Sequence, residues 1–136
     1  MARYAFRVLT LLGATLLLAS GLARAGSPHF VSCALTTITT AQVCVDGKEA
    51  GLGDEAQITV TLAVTAHCEN PGGNDPKAAN KATFETTATV PVQNGKALFD
   101  LCVTPTFQPD CIPPMTLAVD SVVVTDETNG LLCTLQ

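Results

Sequence analysis

The chain has no tryptophan, a single tyrosine and no arginine beyond Arg24. Without tryptophan, the Cys…Trp…Cys core of antibody-type domains is excluded. Aromatic residues make up only 4 % of the chain, so the stacking platforms that sugar clefts commonly use are scarce. Beyond residue 25 the only cations besides histidine are Lys48, Lys77, Lys81 and Lys96, set against all 12 acidic residues, for a net charge of −8. Nucleic acid and anionic membrane both require a positive face and are poor partners for such a surface. Cationic partners and divalent metals stay compatible with it.

Catalytic signatures are missing as well. There is no G-x-S-x-G elbow, no H-E-x-x-H pair, and neither phosphate-cradle pattern, G-K-[ST] or G-x-G-x-x-G. A serine nucleophile needs a histidine base held by an acid, and only two histidines exist. His29 falls close to the expected mature N-terminus, where fraying is expected. His67 ends a strand on the polar parity, so it reads as a surface residue. Paired carboxylates for glycoside hydrolysis are harder to exclude, because acidic residues are plentiful. The expectation is a protein without catalytic activity.

What is present begins with a leader. Arg3 and Arg7 precede an apolar run from Val8 to Leu18, followed by "ASGLARA" with Ala23 and Ala25 before a cut. This is the pattern of a cleaved secretory signal over residues 1–25. The run is too short for a spanning helix, which needs about 20 apolar residues. The mature chain, residues 26–136, has the size of one domain and is expected to be extracellular or periplasmic, with no membrane insertion.

Six cysteines, Cys33, Cys44, Cys68, Cys102, Cys111 and Cys133, all follow the cut. An even number in a small exported chain reads as three disulfides. A zinc site is disfavoured because no C-x-x-C pair occurs. Position along the strands suggests Cys33–Cys44 across a first hairpin and Cys102–Cys133 between two late strands.

The remainder reads as strands. In "QITVTLAVTAHC" the residues Ile58, Val60, Leu62, Val64 and Ala66 alternate with Thr59, Thr61, Ala63 and Thr65, the period of a half-buried strand. Similar logic places strands near 30–37, 42–48, 82–92, 97–103, 115–126 and 131–135. Pro91 predicts a sheet edge or a strand end. Asn94-Gly95 predicts a type I′ hairpin, Asn129-Gly130 a second turn, and a slip of the apolar phase at Asp120 predicts a bulge. These features predict an all-β fold: an antiparallel β-sandwich of about seven strands, immunoglobulin-like in layout and stapled by disulfides.

"KEAGLG" (48–53), "CENPGGNDPKAANK" (68–81), a late cysteine in a proline-rich loop and "TDETNG" (125–130) occur in that order. This pattern resembles a family of small secreted bacterial and fungal proteins of unknown function. The resemblance implies an all-β secreted domain with no assigned activity, and it implies that Cys68 and Cys111 form a shared pair.

"HCENPGGNDPKAANK" (67–81) is the most unusual stretch. Glu69, Asn70, Asn74 and Asp75 offer four oxygen donors in seven residues, the chemistry that calcium takes. A second acidic cluster contains Asp46, Glu49, Asp54 and Glu55. Neither has EF-hand spacing, Lys77 and Lys81 oppose a cation at the first, and asparagine, glycine and proline are what a long turn requires anyway. Calcium and a plain stapled turn both stay open. No other cofactor is expected. The functional expectation is a secreted binding or structural module that contacts a protein or surface glycan through residues 67–81 and 105–114. The alternative is a small inhibitor or effector that inserts the rigid "TFQPDCIPP" loop into a hydrolase.

Overall fold

The structure, a computed structural model, describes residues 26–39, 41–72 and 81–136. The expected signal segment and the candidate ligands Asn74 and Asp75 lie outside the described residues. Seven strands follow in order: β1 (His29–Ile38), β2 (Val43–Ala50), β3 (Gln57–Glu69), β4 (Lys81–Pro91), β5 (Lys96–Val103), β6 (Thr116–Asp126) and β7 (Leu131–Thr134). They form two antiparallel sheets, β1-β2-β5 and β4-β3-β6-β7. His29 does not fray. It opens β1 opposite Ala50, and its Nδ1 lies 2.8 Å from the Ser27 carbonyl.

Alternation decides which face is buried. Ile58, Val60, Leu62, Val64, Ala66 and Cys68 of β3 have no exposed surface, while their neighbours point outward. Val43 and Val45 of β2, Leu101 and Val103 of β5, and Val122 and Val124 of β6 join them in one core. Each buried valine, leucine or isoleucine contributes about 1.5–3 kcal/mol. Four phenylalanines supply the bulk that tryptophan would otherwise give, as two edge-to-face pairs. Phe30 and Phe99 have ring centroids 6.1 Å apart, and Phe84 and Phe107 5.2 Å apart. Phe99 lies across Gly47, where any Cβ would collide with its ring.

The strand order is immunoglobulin-like with one switch. In the constant-type arrangement the fourth strand extends the first sheet. Here β4 pairs with β3 along its whole length, from Gln57↔Pro91 to His67↔Lys81, so it joins the second sheet as an edge. Pro91 sits at the end of this edge, where its missing N–H costs the ladder least. β4 and β5 flank one side of the sandwich and are connected by the Asn94-Gly95 turn. Both turn residues have positive φ, 52° and 69°, and Gln93 and Lys96 exchange backbone bonds of 2.8 and 3.1 Å.

The slip at Asp120 is a bulge. Thr65 pairs with Ser121 and Ala66 with Val119, so Asp120 is the extra residue on β6.

The three disulfides are Cys33–Cys133, Cys44–Cys102 and Cys68–Cys111. The last matches the pairing implied by the family resemblance. The Cys33–Cys44 and Cys102–Cys133 pairings expected from strand order are wrong. Cys33 shares the core side of β1 with Leu35, whereas Cys44 alternates with Val43 and Val45 and points outward, so the two cannot meet across their hairpin. Cys44 instead lies directly opposite Cys102 on β5, with Cα atoms 4.1 Å apart on the outer face. Cys33 crosses the core to Cys133 on β7 and ties the edge strand of one sheet to that of the other. Among the described residues no helix is long and apolar enough to cross a membrane.

Candidate functional site

The Cys68–Cys111 bond defines one end of the molecule. Cys68 is buried near the end of β3, and Cys111 belongs to the connection between β5 and β6. Phe107 anchors the same connection by inserting into the core, 6 % exposed, against Phe84. Between these two anchors and β6 the chain turns outward, and Ile112 stands 60 % exposed beside Pro113 and Pro114. This places the proline-rich segment next to the start of the 67–81 stretch, as expected of two loops joined by a disulfide.

A polar network lies on the sheet beside that end. His67 is on the outer face of β3 as its parity predicts, but it is mostly covered, its side chain 16 % exposed. Its Nδ1 lies 2.9 Å from Asp120 Oδ2 and its Nε2 3.2 Å from Glu69 Oε1. Lys81 Nζ approaches the same Asp120 oxygen at 3.3 Å. The bulge produces this arrangement, because the inserted Asp120 turns its carboxylate towards His67 rather than following the ladder. The hydrogen bond with His67 holds the Asp120 carboxyl below its ordinary value, Lys81 acts in the same sense, and burial opposes both.

Of the four candidate calcium ligands, Glu69 therefore has an oxygen directed at His67, and Asn70 is exposed at the end of β3. Asn74 and Asp75 fall outside the described residues. Among the described residues no three histidine, cysteine or acidic side chains converge to hold a metal ion.

The second acidic cluster divides. Asp46 and Asp54 are exposed, while Glu49 sits on the core parity of β2 and is wholly buried, as is Asp126 at the end of β6. Asp126 Oδ1 accepts from the backbone N–H groups of Thr128 (2.8 Å) and Asn129 (3.3 Å), an Asx turn that starts the β6–β7 connection. Asn129 Nδ2 donates to Asp126 Oδ2 at 2.7 Å and to Glu55 Oε2 at 3.2 Å. Among the described residues neither oxygen of Glu49 has a hydrogen-bond partner. Burial pushes the Glu49 carboxyl up from 4.5 to about 8, helped by the neighbouring Asp126 and then by Glu55. Glu49 therefore holds a proton at neutral pH, beside an Asp126 carboxylate whose oxygens accept from Thr128 and Asn129. Sequence reading grouped Glu49 with its exposed neighbours. The missed signal was its parity, since it continues the inward series Val43, Val45, Gly47.

A third feature lies on the outer face of the three-stranded sheet. Lys48, Lys96, Leu98, Pro91, Gln93 and Asn94 line an open cleft of about 370 Å³. Two of the three described lysines thus share one concavity, and Leu98 beside them is 71 % exposed.

No protein-family model matches the chain, and comparison with curated proteins and with solved structures finds no match.

Proposed function

We propose that the protein is a secreted, disulfide-stabilised binding module without catalytic activity that contacts a protein or a surface glycan through the end carrying the Cys68–Cys111 bond. The leader pattern supports export, and three disulfides fit an oxidising compartment. The observation that carries the reading is the double anchoring of the proline-rich segment. Phe107 in the core and Cys111, bonded to Cys68 of β3, fix a short stretch, and the next residue, Ile112, is exposed to solvent. Rigid presentation of an apolar side chain lowers the ordering cost of binding, and recognition commonly sits on loops held by a rigid scaffold.

The polar network beside it supports a non-catalytic role. Among the described residues both ring nitrogens of His67 face carboxylates rather than a hydroxyl nucleophile. The test is binding of the oxidised mature chain to immobilised glycans and purified cell-surface proteins, wild type against Ile112→Asp. Saturable binding that the variant loses supports the reading. Turnover of any ester, peptide or glycoside substrate that a single Asp or Glu replacement abolishes overturns it.

The same exposed Ile112, followed by Pro113-Pro114, favours one second reading, an inhibitor that places this segment in a hydrolase cleft. Tight inhibition of a secreted protease by wild type and not by Ile112→Asp selects that reading over the glycan one.

A further inference from the structure

The outer face of the β1-β2-β5 sheet has an ordered charge pattern. Its register stacks three rows along the strands: Ala50 opposite Lys96, Lys48 opposite Leu98, and Asp46 opposite Asp100. β1 adds Ser32 beside Lys48 and Ala34 beside Asp46, both small. Lys96, Leu98, Asp46 and Asp100 are exposed and Lys48 is half-buried. One half of the face is therefore basic and the other acidic, and among the described residues none of these four charges is in an ion pair. Asp46 and Asp100 are directly opposed, and Lys48 and Lys96 are diagonal neighbours. Like charges directly opposite each other, as Asp46 and Asp100 are, destabilise a sheet and favour a counter-charge brought from elsewhere.

We propose that this face binds a second copy of the same chain through a two-fold contact. A half-turn about an axis lying in the face, crossing the strands between the Lys48–Leu98 and Asp46–Asp100 rows, lays the basic half of each copy over the acidic half of the other. The two Leu98 side chains, the most exposed large apolar groups among the described residues, then lie beside each other at the axis. Such a contact is isologous, and every interaction is made twice. The cleft lined by Lys48 and Lys96 receives carboxylates of the partner copy, and the small Ser32 and Ala34 let the sheets approach.

Size sets the strength. Three strands about 4.8 Å apart, taken over the eight residues along which β2 and β5 pair, cover roughly 350–400 Å², about half of the ~800 Å² per partner in a standard interface. Two net-negative copies also repel at long range. The dimer is therefore weak and forms at high protein concentration.

A charge exchange tests the proposal. In sedimentation velocity the wild type shifts reversibly towards dimer as concentration rises, and Leu98→Asp stays monomeric. Lys48→Asp/Lys96→Asp and Asp46→Lys/Asp100→Lys each stay monomeric alone, yet sediment as a heterodimer when mixed in equal amounts. Should a variant misfold, dilution of isotope-labelled wild type gives the same answer, with amide signals of residues 46, 48, 96, 98 and 100 moving with concentration. A monomer at every concentration overturns the proposal, as does a failure of the two charge variants to pair. Shifts at Lys48 and Lys96 on adding inorganic phosphate, with none on dilution, overturn it in favour of a small-anion site.

Discussion

Glu49 and Asp126 meet from opposite sheets, one on β2 and the other at the end of β6, and both are wholly buried. Asp126 accepts three hydrogen bonds from Thr128 and Asn129, while among the described residues Glu49 has no donor. Burial, with the neighbouring Asp126 adding to it, keeps the Glu49 carboxyl protonated at neutral pH.

Stability therefore falls as pH rises. The folded chain holds the Glu49 proton to about 8, whereas the unfolded chain releases it near 4.5. The stabilisation is complete below 4.5 and is lost progressively up to about 8, at no more than about 1.4 kcal/mol per pH unit. Urea unfolding at pH 5 and pH 8 should show the loss, and Glu49→Gln, which keeps a donor facing Asp126, should flatten it. Equal wild-type stability at the two pH values would show that Glu49 does not titrate in this range.

The Cys33–Cys133 bond spans the longest interval, 100 positions, against 58 and 43 for the other two. In the chain-entropy model a loop of that length is worth about 4.7 kcal/mol, and the shorter ones about 4 each. Replacing Cys33 and Cys133 together by serine should cost the most of the three paired replacements in denaturant unfolding. Proteolysis of the unreduced protein followed by mass spectrometry should find Cys33 linked to Cys133 and Cys44 to Cys102. A Cys33–Cys44 peptide would show that the two side chains share one face of their hairpin.

At the β4–β5 turn, Gly95 has φ of 69°, a conformation that costs an L-residue with a Cβ about 1 kcal/mol. Gly95→Ala should lower unfolding stability by roughly that amount while leaving the circular dichroism spectrum unchanged. A neutral result would mean the turn can relax without cost.

Calcium is checked by melting the oxidised chain in millimolar calcium and again in EDTA. One Glu69 oxygen is already directed at His67, so the two curves should superimpose. A bound ion at 100 times its dissociation constant adds about 2.7 kcal/mol. A rise in midpoint on the order of 10 °C, removed by Glu69→Ala, would show that the ion binds at this loop.

Strand identity was legible because Thr59 to Ala66 and their counterparts alternate so regularly that only one face can be buried. Even the bulge showed, since an extra residue at Asp120 must shift the apolar phase. Disulfide pairing was hidden for a different reason. Parity tells that Cys44 and Cys102 point outward and Cys33 inward, but which strands lie side by side is a property of sheet order, and β2 pairs with β5 across an intervening hairpin. The Glu49 environment was half visible. Its inward position could be read from β2, whereas its partner Asp126 is brought to it by the packing of one sheet on the other. The charge halves of the β1-β2-β5 face became visible only once the β2–β5 register was known.

The Cys33–Cys133 staple also changes how the domain bears load. Tension applied between a residue before Cys33 and one after Cys133 passes through the covalent bond and bypasses both sheets. About 350 Å of contour length, at 3.3–3.6 Å per residue over 100 positions, is withheld from extension until the bond is reduced. Mechanically the oxidised protein is a short rigid link, and a reductant converts it into an extensible one.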